Sequence, residues 1–366
     1  MSEDFESKES ALFVMEGVKG GHDGMNLGSP KKFRKKAQKP LDFEKFAADV
    51  RSGNRTALSK AITLIESANQ EHKEQAQRLL QELLPYTGKS IRIGITGVPG
   101  AGKSTFIEAF GTMLCQLGKR VAVLAIDPSS SISGGSILGD KTRMENLVRE
   151  PNAFVRPSPS AGTLGGVHRK SRETMLLCEA AGYDVILVET VGVGQSETYV
   201  RGMVDFFLLL VLTGAGDELQ GMKKGIMELA DAIIVHKADG DNLRLARKTM
   251  REYKQILHFL QPATPGWVSD SLMVSSYEKT GLQEVWEMLT QFEVQTSASG
   301  IFQERRQSQT KDWFHQMIHD QLIDSFYNDP TNKDLLKKLE PLILQGKLTV
   351  SQGIHQVFTT LPENSQ

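Results

Sequence analysis

Cysteine, net charge and long apolar runs are all scarce in this sequence, and each scarcity excludes a class of protein. Two cysteines among 366 residues are too few for a disulfide framework or a multi-cysteine metal site. The 43 Lys and Arg residues nearly balance 44 Asp and Glu residues, so the surface as a whole is not built to bind nucleic acid or membrane. The longest run of large apolar residues, 206–212, is far shorter than the roughly 20 residues that span a bilayer. We therefore expect no nucleic-acid partner and no membrane span.

The first 40 residues have little periodicity and carry a basic cluster between residues 31 and 39. Such a charge run is usually solvated, so we expect residues 1–40 to form a flexible basic tail. Residues 1–6 are acidic, unlike a secretory or mitochondrial signal. With Cys115 and Cys178 expected as buried hydrophobes in a reducing compartment, the sequence predicts a cytoplasmic protein.

Hydrophobic periodicity divides the rest of the chain into three segments. Apolar residues at steps of three and four predict an N-terminal helical extension over 41–88. The same spacing predicts helices throughout 297–366, without strands. A helical region that follows a complete α/β domain often packs against a second copy, so we expect residues 297–366 to form a homodimer contact. The segment between these extensions, 89–296, is predicted to be the catalytic domain.

Within 89–296, short apolar runs alternate with longer helical patterns. Strand, helix, strand in this rhythm predicts a parallel sheet with helices on both faces. Nearly continuous apolar runs are expected for strands that are buried on both sides. The predicted strands are 91–96, 121–126, 185–189, 206–212, 232–236 and 272–275, and the predicted helices are 103–117, 170–181, 218–230, 242–260 and 282–292.

The strongest motif follows the first predicted strand and opens the first helix of the sheet. It fits the pattern G-x-x-x-x-G-K-[ST] of a phosphate-binding loop, which predicts a P-loop NTPase. Glycines let main-chain N–H groups approach a phosphate, and the helix adds its positive end. Lys103 should reach the β- and γ-phosphates, and the Ser104 hydroxyl should bind Mg²⁺. The motif reads Gly97, Val98, Pro99, Gly100, Ala101, Gly102, Lys103, Ser104 and Thr105.

Acidic residues follow two further predicted strands. Asp127 comes directly after strand 121–126, and Glu189 ends strand 185–189. Ligands bind at the carboxyl ends of strands in open parallel sheets, so both acids should face the phosphate loop and help to hold Mg²⁺. Asp140, in the glycine-rich stretch 133–143, is a third metal candidate. Gln195 is a candidate for orienting the attacking water, or alternatively a turn residue, and completes the candidate catalytic set with Lys103 and Glu189.

A second group of residues indicates which base is bound. Asp239 follows strand 232–236, and a carboxylate can accept hydrogen bonds from N1–H and N2–H₂ of guanine, a pair of donors that adenine does not offer. The stem of Lys237 can lie across the base plane. Lys-x-Asp alone is a weak motif, but here it precedes the loop Ser275, Ser276 and Tyr277, which can supply a main-chain N–H to guanine O6. Together these features predict GTP and GDP as the nucleotides.

Four longer stretches together resemble one family. The family is that of the methylmalonyl-CoA mutase-associated G-protein chaperones, formerly labelled arginine/ornithine transport kinases. The resemblance covers roughly residues 41–327 and is carried by 97–105, by 156–160 with 162–167, by 188–197, and by 216–221.

This resemblance implies a homodimeric GTPase. Such proteins gate the delivery of adenosylcobalamin to a B12-dependent acyl-CoA mutase and protect that enzyme during turnover. We expect slow intrinsic hydrolysis that accelerates when the partner orders the loops. The phosphate and Mg²⁺ residues implied by position are Lys103, Ser104, Asp127, Asp140 and Glu189.

The resemblance also assigns roles to the remaining motifs. Asp239 matches the guanine acceptor, and the loop 213–224 matches a segment that transmits the nucleotide state to the mutase. One residue departs from the pattern, because GTPases usually have Asn where this chain has His236. That position ties the base loop to the phosphate loop, so the sequence leaves open whether His236 makes the same link.

Three alternatives remain open from the sequence. The older family label implies a kinase of an amino-acid (arginine/ornithine) transport system. A nickel-insertion metallochaperone GTPase would share the fold, although the chain has no Cys/His cluster of the kind that stores the metal. The third alternative is an interaction module that binds nucleotide without hydrolysing it.

Overall fold

The computed structural model describes residues 42–67, 69–126, 144–156, 164–190, 196–214 and 224–359, with side chains except at 164–168, 196 and 224. The predicted basic tail 1–40 lies outside these ranges. From Phe43 on, the described residues belong to one unit.

Seven strands and thirteen α-helices make up the described part of the chain. The strands are β1 (Ile91–Gly97), β2 (Val121–Ile126), β3 (Ala153–Arg156), β4 (Val185–Thr190), β5 (Phe206–Val211), β6 (Ala232–His236) and β7 (Asp270–Val274). The helices are α1 (Phe43–Arg51), α2 (Arg55–Glu66), α3 (Gln70–Leu83), α4 (Lys103–Gln116), α5 (Glu145–Arg149), α6 (Leu164–Ala180), α7 (Ser196–Arg201), α8 (Lys224–Leu229), α9 (Leu243–Phe259), α10 (Leu282–Ala298), α11 (Ile301–Asn328), α12 (Pro330–Leu344) and α13 (Val350–Thr359).

All seven strands form one parallel sheet in the order β3-β2-β4-β1-β5-β6-β7. The α/β fold with a parallel sheet is therefore confirmed. β1 lies at the centre between β4 and β5, with Ile95 opposite Glu189 and Gly97 opposite Leu210. This register brings the ends of the three strands to one edge of the sheet, which is where the phosphate motif and Glu189 meet.

The six predicted strands are all present, each within two residues of its predicted bounds. β3 was missed because it has only four residues and lies at the sheet edge, where its last two side chains are only half buried. Helices α6 and α10 each extend about six residues beyond their predictions, 170–181 and 282–292. In α10 the added residues 293–298 are mostly exposed, so they carry no periodic apolar signal. Of the predicted helix 218–230, the described part begins at Lys224.

The N-terminal helices pack against α6, which in turn contacts β2 of the sheet. Apolar side chains of α1, α2 and α3 belong to the same buried cluster as side chains of α6, β2 and β4, and its members include Leu58, Ile62, Leu79, Ile186 and Val188. The proposed boundary at residue 88, between the N-terminal extension and the catalytic domain, stays a prediction. The buried cluster contains residues from both sides of it.

Both cysteines are buried and unpaired. Burial raises the pKa of the Cys115 thiol to about 11 and raises that of Cys178 further, so neither is a thiolate at neutral pH. Neither is therefore suited to nucleophilic chemistry. Among the described residues, no helix is long and apolar enough to cross a bilayer.

Candidate functional site

The phosphate motif forms a tight loop between β1 and α4. Gly97 has φ +153°, and a Cβ there would lie 2.3 Å from the main-chain oxygen of Leu210 on β5. Gly102 caps α4 with φ +88°, and a Cβ there would lie 2.6 Å from Nδ1 of His236. Only glycine satisfies both the backbone conformation and the space at these two positions. The loop therefore presents main-chain N–H groups at the N-terminus of a 14-residue helix.

Lys103 folds back over this loop. Its Nζ donates to the main-chain oxygens of Gly97, at 2.8 Å, and Val98, at 3.3 Å. Burial lowers the pKa of Lys103, while the nearby charge of Glu189 acts in the opposite direction. The ammonium group of Lys103, the first residue of α4, is thus held against the loop.

Ser104 and Glu189 meet at the carboxyl edge of the sheet. Ser104 Oγ donates to Glu189 Oε1 at 2.8 Å, although 85 residues separate them. Glu189 is buried near the end of β4. A hydroxyl and a carboxylate side by side are hard oxygen ligands of the kind that Mg²⁺ prefers, so this donor set fits the ion.

Three predicted site residues lie outside the described ranges. They are Asp127, which follows the last residue of β2, Asp140 and Gln195. Their assignment as metal or water-orienting residues stays a prediction.

The predicted base loop lies at the ends of β6 and β7. Asp239 Oδ2 accepts a hydrogen bond from Ser275 Oγ at 2.6 Å, and Ser275 Oγ in turn accepts from the main-chain N–H of Glu278 at 3.0 Å. Main-chain bonds between Ser275 and Thr280 close the serine loop. Asp239 is only half buried, so its carboxylate is fixed in place and still accessible to a ligand.

His236 answers the question that the sequence left open. Its Nδ1 lies 2.7 Å from the main-chain oxygen of Ala101 in the phosphate loop, and its Nε2 lies 2.6 Å from Ser276 Oγ. Because a carbonyl only accepts, Nδ1 carries the proton and Nε2 accepts from the serine hydroxyl. Burial lowers the pKa of His236, and this lowering favours the neutral form of the ring. The hydrogen bond to Ala101 raises the pKa, but its effect is smaller. The histidine therefore links the phosphate loop to the serine loop.

Two residues of the base loop are exposed. Lys237 has a left-handed backbone, φ +58°, which is unusual for a residue with a side chain. Its side chain is accessible, and Tyr277 is 90% exposed. Sequence reasoning did not find Asn242, whose side chain contacts Lys237 and Thr213. The only available signal was an asparagine after Gly240 and Asp241, a composition that is typical of turns.

Residues 58–331 match the family model described as methylmalonyl Co-A mutase-associated GTPase MeaB. The chain belongs to the MeaB family. The match includes both halves of the site, from the phosphate loop to the serine loop. The resemblance noted from the motifs is thereby confirmed, and the chain is a P-loop GTPase, an enzyme that hydrolyses GTP.

Relatives agree with this assignment. A probable GTPase of Mycobacterium tuberculosis, Rv1496, is 50% identical over 312 residues, which cover 85% of this chain and 93% of that protein. GTPase ArgK of Escherichia coli is 48% identical over 311 residues, covering 84% and 93%. The mouse mitochondrial methylmalonic aciduria type A homolog is 45% identical over 307 residues, covering 81% and 74%.

A solved structure has the same fold. The crystal structure of an LAO/AO transport system kinase superposes with a TM-score of 0.70 at 37% identity, and the match covers 87% of this chain and 96% of that one. The name of that protein corresponds to the older kinase label. The relatives from Mycobacterium tuberculosis and Escherichia coli are instead called GTPases.

Within the described residues, no three His, Cys, Asp or Glu side chains are grouped to hold a metal ion.

Proposed function

We propose that this GTPase is a chaperone that gates the loading of adenosylcobalamin into a B12-dependent acyl-CoA mutase, such as methylmalonyl-CoA mutase, and protects that enzyme. Membership of a family named for its association with methylmalonyl-CoA mutase is the observation that carries this proposal. The name of the mouse relative, which refers to methylmalonic aciduria, supports the same connection.

GTP would bind along the carboxyl edge of the sheet. Main-chain N–H groups of 97–105 and the Lys103 ammonium group would contact the phosphates. The position of the loop and of the lysine at the N-terminus of α4 supports this proposal. Asp239, oriented by Ser275, would accept hydrogen bonds from the guanine edge. The stem of Lys237 and the Ser276–Tyr277 main chain would flank the base.

Hydrolysis depends mainly on position and charge at this edge. We propose that Ser104 and Glu189 hold Mg²⁺, together with Asp127 and Asp140. When bound, the ion would neutralise phosphate charge. Lys103 would offset the charge that develops on the transferred phosphoryl group, and Gln195 would orient the attacking water. We propose that the mutase orders the loops of this site, so we expect slow intrinsic turnover and acceleration by the mutase.

The chaperone proposal is tested by capture and by turnover. The immobilised chain, loaded with a non-hydrolysable GTP analogue, should recover a cobalamin-binding mutase subunit from the native cell extract. With that mutase purified and saturating, GTP turnover should rise by at least about 10-fold.

The GDP-loaded chain is the control for nucleotide dependence. Turnover that is unchanged at saturating mutase would contradict the proposal. If labelled γ-phosphate instead appeared on a protein or small acceptor, the transport-kinase alternative would be favoured. Stoichiometric Ni²⁺ binding in equilibrium dialysis would favour the metallochaperone.

We further propose that the C-terminal helices form a homodimer. Phe314, Ile318 and Leu322 recur every fourth residue on α11 and are 42–63% exposed. A second stripe follows the same spacing on α13, with Val350, Ile354 and Phe358. The two stripes are neighbours, because Phe358 stacks on Phe326 of α11 at 5.6 Å. A contiguous apolar face of this kind marks an interface, and a two-fold dimer needs only one such face.

Charged substitution in this face should separate the copies. We expect the wild type to have the mass of two chains by size exclusion with light scattering, and Ile318→Glu with Leu322→Glu to have the mass of one, because the carboxylates would be buried unpaired. Phe259→Glu is the matched control, since Phe259 is 85% exposed at the end of α9 and outside the stripes. A dimeric double variant, or a monomeric wild type, would contradict the interface.

Two buried free thiols fit the reducing cytoplasm, where we propose that the protein acts.

A further inference from the structure

Asn242 joins two separate parts of the structure through three hydrogen bonds. Its side-chain Nδ2 donates to the main-chain oxygen of Lys237 at 2.6 Å, and its main-chain N–H donates to the oxygen of Asp239 at 3.0 Å. Its Oδ1 accepts from Thr213 Oγ1 at 2.6 Å. One half-buried residue thus contacts the backbone of Lys237 and of Asp239 and links both to Thr213, which follows strand β5.

The contact with Lys237 acts on an unfavourable backbone conformation. Lys237 is one of two residues other than glycine with positive φ among the described residues. This conformation is disfavoured for a residue with a Cβ, so the surrounding contacts must hold it. The Asn242 amide fixes the direction of the Lys237 carbonyl, and that conformation determines where the lysine stem and the following Asp239 lie.

The contact with Thr213 anchors the base loop beside the phosphate loop. Thr213 lies two residues beyond β5, whose Leu210 is opposite Gly97 of the phosphate loop. Asparagine suits this junction because one side-chain amide offers a donor to Lys237 and an acceptor to Thr213 at the same time. His236 makes a different link, from the base side to Ala101.

We propose that Asn242 is a positioning residue that sets guanine affinity and specificity by holding Lys237 and Asp239 in register with the phosphate loop. It acts through these two residues. The inference rests on the guanine site proposed above and names the residue that holds that site in shape.

The test compares GDP with IDP, which lacks the 2-amino group that Asp239 is placed to accept from. Asn242→Asp keeps the acceptor for Thr213 but replaces the donor to Lys237 with an oxygen. We expect GDP binding by calorimetry to weaken by about 10-fold and the preference for GDP over IDP to shrink by a similar factor. kcat at saturating GTP should stay within about twofold, because the phosphate contacts are intact. Thr213→Val removes the hydrogen bond to Asn242 Oδ1. It should also weaken GDP binding and reduce the preference for GDP over IDP.

Asn332→Asp is the matched control, because its amide also donates to a main-chain oxygen, that of Phe326, on the C-terminal helices. It should leave both measurements unchanged. Equal losses for GDP and IDP, or no change in folded Asn242→Asp and Thr213→Val, would overturn the positioning role while the guanine site stands. A wild type that binds IDP as tightly as GDP would overturn the guanine site itself, and this inference with it.

Discussion

Replacing Lys103 with alanine should lower the rate of GTP hydrolysis by at least about 100-fold, the typical cost of removing one positioned donor from a developing charge. The Lys103 ammonium group is fixed by the oxygens of Gly97 and Val98 at the N-terminus of α4. No other lysine lies in the loop 97–105, so the charge that it supplies has no substitute there. Single-turnover phosphate release with Mg²⁺ measures the effect, and calorimetry separates it from lost GTP binding.

Two variants distinguish this effect from unfolding. Lys103→Met keeps the apolar stem in its buried place and should lose the same activity with less change in melting temperature. Lys254→Ala removes a lysine that pairs with Asp270 at a half-exposed site and should retain wild-type turnover. If Lys103→Met hydrolysed GTP as the wild type does, the phosphate assignment would be wrong. A wild type without hydrolysis would favour the module that only binds nucleotide.

Asp239→Asn should exchange guanine for xanthine. In guanine the positions 1 and 2 carry N–H donors, whereas xanthine has a carbonyl at position 2. Ser275 Oγ donates to Asp239 Oδ2, so in the variant the amide oxygen should stay toward Ser275 and the NH₂ group should face the base. A donor would then oppose the 2-amino group of guanine but pair with the xanthine carbonyl. GDP affinity should fall by about 100-fold, and XDP should become the preferred ligand.

Gain of xanthine binding makes this prediction robust, because an unfolded protein binds neither base. Calorimetry with GDP, XDP and ADP on wild type and Asp239→Asn gives the comparison. Asp241→Asn, two residues further on and exposed, is the matched control and should keep the preference for GDP. Equal affinity of the wild type for GDP and ADP, or an Asp239→Asn variant that still prefers GDP, would remove Asp239 from the site.

Local patterns predicted most of the sheet and much of the site. Strands buried on both faces are nearly continuous apolar runs, so β1, β2 and β4 to β7 were found close to their bounds. The phosphate loop was found because its glycines are required by the local backbone, at Gly97 and Gly102. Asp239 and Ser275 were grouped correctly, since parallel strands end at one edge of the sheet, and the structure joins them by a hydrogen bond.

Contacts between distant residues were beyond the reach of these patterns. The bidentate pair of Arg306 with Asp205, which fastens α11 to the sheet, links residues 101 positions apart. The link between His236 and Ala101 spans 135 positions. The family pattern indicates a link from this position to the phosphate loop, but only the structure shows that a histidine makes it and that Ala101 is its partner. Neither the type of a residue nor its spacing in the chain indicates which distant residue it will contact. The identity of that residue depends on the order of the strands in the sheet.

By itself, the sequence determined the strand and helix rhythm, the glycine-rich phosphate loop and the residue types able to bind guanine, because each depends on periods of two to four residues or on one contiguous motif. Only the tertiary structure decided that His236 carries its proton on Nδ1, that Ser104 donates a hydrogen bond directly to Glu189, and that Asn242 donates one to the Lys237 carbonyl. These depend on the strand order β4-β1-β5-β6, which brings segments far apart in the chain within hydrogen-bond distance. A chain of amino acids specifies that order through the packing of the whole core, which no single motif contains.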